Sequence, residues 1–447
     1  MAGARTHLHW LTASEASGLI ARGELTSREL VAGCLDRWRA RDKEVRAWTF
    51  LEPELVLAQA EAADKAAECG PLRGIPVGVK DVLYTRDMPT SFNSPHFQDH
   101  FPNIDAAGVA LLRNAGAVIM GKCDTVEFAV NGRRAATRNP HGLDRTPGGS
   151  SSGSAAAVAD GQVPLALGTQ TGGSVIRPAS YCGVYAIKPT WNAVSHEGFK
   201  VCAASFDTLG WFARSADDLA LLCDAFNIHD DEKPGFTELA GMRFAICRTP
   251  VWEQAEPATR DAIALCVSLL RESGASVTEL ELAPEFAGLT DAHLTIMQSE
   301  MRSSFLAEYR RLGDALYPEL VAIMANEAGQ SRADLMRAHD LAARCRARFD
   351  ELAAPFDAVI TPSTAGEAPL GLENTGAATF NRIWTLLHAP CVNVPGLRGP
   401  AGIPVGVTVT GPRFHDRHVI AAAGLLGERI AGYDARTGNA TQEKTTL

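Results

Sequence analysis

Apolar and polar positions along the chain alternate between helical and strand-like spacing. Residues 14–50 carry apolar positions at helical intervals and divide into two helices. Thr26-Ser27-Arg28-Glu29 is a capping-box pattern that opens the second, whose apolar face holds Leu30, Cys34 and Trp38. An alanine-rich helix over 53–69 stops at Gly70-Pro71, and Gly74–Asp81 follows as a short apolar strand ending on a lysine and an aspartate. A loop rich in Pro, Asn and Phe covers 83–104. A helix from Asp105 to Ala115 then leads into the buried-strand run Gly116–Gly121. Strand, helix and strand in that order predict a parallel pair with a right-handed crossover.

The Ser150–Asp160 helix and the Val163–Gly168 strand add a second such unit. Ser215-Ala-Asp-Asp caps a helix to Phe226, and the polar run His229–Gly235 is the best candidate for an internal boundary. Beyond it, a Met242–Arg248 strand, a Pro257–Ser273 helix and a Ser276–Leu282 strand form a third unit. Residues 286–354 read as one long helical stretch, a cap on the sheet. Phe356–Pro362, Cys391–Pro395 and Gly402–Val409 are late strands, 416–430 is a closing helix, and the last dozen or so residues are polar, predicting disorder.

Composition narrows the function classes. The 447 residues are 46% hydrophobic and 21% charged, ordinary for a globular chain. A net charge of −10 with no Lys/Arg-rich run argues against a nucleic-acid partner or an anionic membrane surface. No stretch reaches the roughly 18 apolar residues of a membrane span, and the N-terminus has no long apolar core of a signal peptide. The ten cysteines show no paired spacing. Together these features predict a reduced, cytoplasmic setting.

The candidate chemistry lies in Thr146–Pro178, TPGGSSSGSAAAVADGQVPLALGTQTGGSVIRP. Two Gly-Gly-Ser turns flank a small-residue helix and an apolar strand, an arrangement poorly explained as loop punctuation. Ser174 follows two glycines at a strand end, where successive backbone N–H groups of Thr171, Gly172, Gly173 and Ser174 can converge as an oxyanion hole. A serine nucleophile needs a base, and no histidine lies near in sequence. Lys80, at the end of its strand, serves if burial keeps it neutral, with Ser150 relaying the proton from Ser174.

These segments, GGSSSGSAAAVA…ALGTQTGGS…RPASYCGVYAIKPT, closely resemble the signature of the amidase signature family. The similarity extends to GIPVGVKD (74–81), AGAVIMGKCDTVEFA (115–129), FDTLGWFARSADDLALL (206–222) and GIPVGVTVTGPRFHD (402–416), and is weakest over 230–355. The resemblance implies a Ser–cis-Ser–Lys set with Ser174 as acylated nucleophile, Ser150 as bridging serine in a cis peptide and Lys80 as base. It also implies an α/β/α sandwich with a large mixed, mostly parallel central sheet of about ten or eleven strands, helices on both faces and the site at the ends of the central strands. One catalytic domain over 1–447 is expected, with 286–354 as its cap.

Two positions depart from the family pattern. Gln170 stands where an aspartate is common, and the arginine usually found two residues after the nucleophile stands three after it, at Arg177, with Ile176 in its usual place.

The expected activity is hydrolysis of amide C–N bonds, extending to carbamates and esters, without metal or cofactor. The expected partner is a small-molecule amide or carbamate, and the expected state a monomer or homodimer. Three other readings compete. One is the glutaminase subunit of a tRNA-dependent amidotransferase. Another is an inactive scaffold. The third follows from Gly149-Ser-Ser151-Ser-Gly153, which satisfies G-x-S-x-G and makes Ser151 the nucleophile of an α/β-hydrolase, with His388, His415 or His418 downstream. His96-x-x-x-His100 has metal-ligand spacing if helical but sits among loop residues, and Cys123 and Cys182 read as packing residues. Phe92, Phe199, Phe206, Met297, Met301 and Trp384, drawn from 84–104, 196–209 and the cap, predict an apolar substrate pocket.

Overall fold

The computed structural model describes residues 7–66, 70–130 and 132–437. Its centre is a single mixed sheet of eleven strands: β1 (Trp48–Phe50), β2 (Pro76–Lys80), β3 (Val118–Cys123), β4 (Leu165–Gln170), β5 (Tyr185–Lys188), β6 (Thr208–Ala213), β7 (Arg243–Ile246), β8 (Ser276–Glu279), β9 (Ala358–Pro362), β10 (Cys391–Arg398) and β11 (Pro404–Thr410). Their spatial order is β1-β3-β2-β4-β6-β5-β10-β11-β9-β7-β8.

The three predicted strand–helix–strand units are present as parallel pairs: β2 beside β3, β2 beside β4, and β7 beside β8. Every residue of β2, β3 and β4 is buried, as expected of parallel strands covered by helices on both faces. The expectation of a mostly parallel sheet is corrected, however. Parallel pairing is confined to the two flanks, β3-β2-β4 and β9-β7-β8, whereas β4-β6-β5-β10-β11-β9 and β1-β3 are antiparallel. The cause is connectivity. β10 and β11 are joined directly by a short loop, and β6 inserts between β4 and β5, so helical crossovers do not set those directions. β1, β5 and β6 had no counterpart in the sequence reading.

The Thr26 capping box is formed with Glu29, opening the Ser27–Val45 helix. Ser215 caps the Ala216–Ala225 helix through the Asp218 amide. Residues 229–235 form a loop between that helix and β7, but the sheet takes strands from both sides of it. The 286–354 stretch is broken into Leu289–Ser304, Leu306–Leu312, Pro318–Met324 and Arg332–Ala353. The end of the predicted 53–69 helix and the polar tail beyond 437 lie outside the described residues. Among the described residues no helix is long and apolar enough to cross a membrane.

The small-residue helix Ser152–Ala159 explains its own composition. It is buried nearly throughout, and a Cβ on Gly153 would lie 2.1 Å from the Ala47 carbonyl oxygen and 2.4 Å from the Asp124 nitrogen. Only glycine allows that approach. The helix therefore lies tight against the chain beside β1 and β3, and this brings its first turn to the end of β2.

Candidate active site

Lys80 is the last residue of β2 and has no solvent exposure. Its Nζ lies 2.8 Å from Ser150 Oγ and 2.8 Å from Thr169 Oγ1, with the Thr169 carbonyl at 3.4 Å. Burial pulls the amine down from its ordinary 10.5 to about 7, partly opposed by the charge of Asp207. An amine neutral near pH 7 can donate its N–H bonds to Thr169 while its lone pair accepts the Ser150 hydroxyl proton.

Ser150 follows a cis peptide bond from Gly149. Its carbonyl accepts from Thr125 Oγ1 at 3.0 Å and from the Val126 amide at 3.3 Å. Ser174 lies in the turn after β4, half-buried, and its carbonyl accepts from the Ser151 amide at 3.4 Å, which ties the two serine turns together. Ser150 and Ser174 both border one cavity of about 220 Å³.

The backbone between β4 and the next helix sorts its donors. The amides of Val175 and Ile176 are taken by Gln170 Oε1 at 2.9 and 3.0 Å. Among the described residues no hydrogen bond takes the amides of Thr171, Gly172, Gly173 or Ser174, and all four residues border the cavity. The other end of Gln170 donates to Thr385 Oγ1, which in turn donates to the Gly172 carbonyl, at 2.9 and 2.8 Å. Gln170 thus fills its position with a complete set of partners. Arg177 donates from its two terminal nitrogens to the Gly149 carbonyl (2.6 Å), to the Gly376 carbonyl (2.7 Å) and to Thr375 Oγ1 (3.1 Å), while its buried Nε has no partner among the described residues, and burial lowers it to about 10.

Several site residues carried no sequence signal of their own. His293, on the Leu289–Ser304 helix, is fully buried, stacks on Phe206 with ring centroids 4.5 Å apart, and donates from Nε2 to the Thr171 carbonyl at 2.8 Å. Burial holds it at about 4, so it is neutral. Asp207 accepts from Thr171 Oγ1 and from the amides of Cys202 and Ala203, and burial raises it to about 7. Thr169 and Asp207 lie within segments already singled out for their resemblance, ALGTQTGGS and FDTLG. His293 lies where the family resemblance is weakest, with no motif around it.

Other expectations are corrected. Ser151 is fully buried, and its hydroxyl faces the backbone of β4 at Thr169 rather than the cavity. His388 bonds the Ser205 carbonyl, while His415 and His418 lie against each other with their rings tilted by 53°, His418 beside Asp230. The elbow arrangement is therefore absent. Of the six residues offered for the pocket, only Met297 and Met301 border it. Phe92 packs on Phe97 and Phe128, Trp384 on Phe349, and Phe199 is core. The cap contributes further residues, among them His293 and Leu294, and the 196–209 segment contributes Cys202, while Val126, Ala129, Val130, Arg134 and the 375–378 segment with Arg382 complete the lining. His96 and His100 bond separate carbonyls, and no group of three metal-ligating side chains occurs among the described residues. Cys123 and Cys182 are buried thiols pushed upward by burial.

The site is thus a crevice at the strand ends of a mixed α/β sheet, bordered by Ser150 and Ser174 with the buried Lys80 amine behind Ser150. The Amidase family model matches residues 29–420, and the chain belongs to that family, the amidase signature enzymes. It is 32% identical to a glutamyl-tRNA(Gln) amidotransferase subunit from Roseiflexus sp. (strain RS-1), over 96% of this chain and 98% of that one. Among solved structures it is similar to the native peptide amidase from Stenotrophomonas maltophilia (TM-score 0.78, 27% identity, 94% of this chain and 97% of that one). It is also similar to a glutamyl-tRNA(Gln) amidotransferase subunit from Thermotoga maritima (TM-score 0.78, 28% identity, 94% of each chain).

Proposed function

We propose that this protein hydrolyses the C–N bond of small amides through an acyl-enzyme on Ser174, with Ser150 and Lys80 as its proton relay. The observation that carries the reading is the buried Lys80 Nζ, 2.8 Å from Ser150 Oγ, at the edge of the cavity that Ser174 also borders. Ser174 Oγ attacks the carbonyl carbon, its proton passes to Ser150 Oγ, and the Ser150 proton passes to neutral Lys80. The free amides of Thr171–Ser174 hold the oxyanion. As the tetrahedral intermediate collapses, the Lys80 ammonium returns the proton through Ser150 to the leaving nitrogen and the C–N bond breaks. Water then enters, loses its proton through the same relay and releases the acid. A carbamate offers the same carbonyl carbon and leaving nitrogen, passing through a carbamoyl-enzyme, and an ester differs only in the leaving atom.

Intact-mass labelling with a fluorophosphonate tests the assignment. The adduct is expected on the native protein and on Ser151→Ala, slowed in Lys80→Ala and absent in Ser174→Ala. Labelling that survives Ser174→Ala and disappears in Ser151→Ala defeats it.

A second reading has a specific support: the amidotransferase subunits that the chain resembles along nearly its whole length. On that reading the same relay releases ammonia from glutamine inside a complex. Co-purification of a stoichiometric partner from the native cell, with glutamine hydrolysis dependent on it, is its distinguishing result.

A further inference from the structure

The cavity beside Ser174 is bordered by three arginines, Arg134, Arg177 and Arg382, and by no aspartate or glutamate among the described residues. The chain as a whole carries a net charge of −10, so this lining runs against its overall sign. The three differ in their commitments. Arg177 is held by three backbone and side-chain acceptors, and Arg134 donates from Nε to the Glu373 carbonyl. The Arg382 guanidinium has no hydrogen-bond or ion-pair partner among the described residues. Its stem lies against the glycine turn, its Cγ 4.0 Å from where a Cβ on Gly172 would sit.

Partial burial lowers Arg382, and its charge in turn depresses Arg177 and His293. Clustered cations without a counter-ion raise the energy of the empty site, and an anion entering the cavity relieves this. A planar guanidinium with all its donors unused suits a carboxylate, which it can engage with two parallel N–H···O bonds.

We propose that the substrate is a short amide bearing a carboxylate, which Arg382 binds while the amide carbonyl lies at Ser174. The cavity of about 220 Å³ falls below the roughly 300–1,000 Å³ of pockets for drug-sized ligands and so limits the chain to a few carbons. The apolar part of the lining, Leu294, Met297, Met301 and Ile323, suits that aliphatic chain. Zwitterionic amides such as glutamine fit poorly, because an α-ammonium would meet arginines with no carboxylate to receive it. The inference deepens the reading of Ser174 as the reacting residue and rests on it for the direction in which the amide faces.

Its test uses binding, so it needs no bond cleavage. Succinamate, its neutral analogue succinamide, and glutamine are titrated calorimetrically into the Ser174→Ala protein. Succinamate is expected to bind at least about tenfold more tightly than succinamide, with glutamine no better than succinamide. Raising the salt concentration should narrow the gap. Adding Arg382→Gln should erase the advantage and Arg382→Lys should keep part of it, with thermal melts confirming that both variants are folded. Equal or absent binding of succinamate and succinamide, or an advantage that survives Arg382→Gln, overturns the proposal. A native protein whose Ser174 resists the fluorophosphonate would sink the nucleophile assignment alone, leaving the carboxylate result standing.

Discussion

Two lysines on neighbouring parallel strands, Lys80 on β2 and Lys122 on β3, are both fully buried, and they do opposite things. Lys122 ion-pairs with buried Asp81 at 3.2 Å and donates to the Leu83 carbonyl, the Pro89 carbonyl and Thr90 Oγ1. Asp81 in turn accepts from the Ser91 amide and hydroxyl, so the pair pins the loop after β2. Lys80 meets only hydroxyl and carbonyl oxygens. Burial lowers both amines, but only Lys122 has a carboxylate in contact to restore its charge. Burial alone does not make a base. Burial without a carboxylate in contact favours the neutral amine, and a hydroxyl at hydrogen-bond distance would give the proposed base a proton to take.

Exchanging each lysine for methionine should split this comparison most widely. Lys80→Met is expected to lower kcat/KM on the order of 10⁴-fold while the melting temperature holds or rises, because a buried amine with no counter-ion is lost. Lys122→Met strands Asp81 and should cost about 3–5 kcal/mol of stability in denaturant titration, with turnover per folded molecule kept within about threefold. If Lys122→Met abolished turnover and left stability untouched, the division of roles would be wrong.

The pH dependence follows from the same contrast. The Lys80 amine must be neutral to accept a proton, and its value is lowered from 10.5 to about 7. With Lys80 as the proposed base, activity is expected above about pH 7 and is expected to fall below it as the amine protonates. The acid limb of kcat/KM should fall near 7. A limb near 10 would mean that the amine keeps its ordinary value despite burial, and a profile with no limb between about 6 and 10 would mean that Lys80 is not the base.

This contrast shows how far the sequence can be read. The Gly-Gly-Ser turns, the lysine at a strand end and the helix of small residues are local patterns, and each has its place in the structure. The family resemblance joined them. What was not legible depends on distant chain. Nothing in the residues near Lys122 says that Asp81 will neutralise it while Lys80, one position before Asp81, stays unpaired. His293 and Arg382 reach the cavity from segments 119 and 208 residues beyond Ser174, and only the folded chain brings them there. Apolar residues misled for the complementary reason. Phe92, Phe206 and Trp384 were as suited to core as to pocket, and the core took them. β5 and β6 escape notice because strands of four and six residues, buried except for Tyr185, carry too little pattern to identify a strand.

Gln170 extends the lesson from charge to hydrogen bonding. Like Lys122, it is a buried polar group held by several partners: the Val175 and Ile176 amides and the Thr385 hydroxyl. Gln170→Ala leaves these unsatisfied and should cost about 1–3 kcal/mol. The Ser174 turn would loosen with it, so fluorophosphonate labelling should slow in proportion to the stability lost. A stability change without slower labelling would mean that Gln170 supports the helix but not the turn.

The smallest expected effect separates two adjacent serines. Ser150 Oγ lies against Lys80, whereas Ser151 Oγ lies against the Thr169 amide and carbonyl at 3.3 Å each, beneath β4. Ser151→Ala removes two long hydrogen bonds without opening a space larger than a hydroxyl, and should cost about 0.5–1.5 kcal/mol with labelling of Ser174 unchanged. Ser150→Ala breaks the only route drawn between Ser174 and Lys80, and should suppress hydrolysis far more than it alters the melting temperature. If the two variants lost activity equally, the proton would have a path that bypasses Ser150, and the short Lys80–Ser150 contact would be holding the cis turn in place rather than carrying charge.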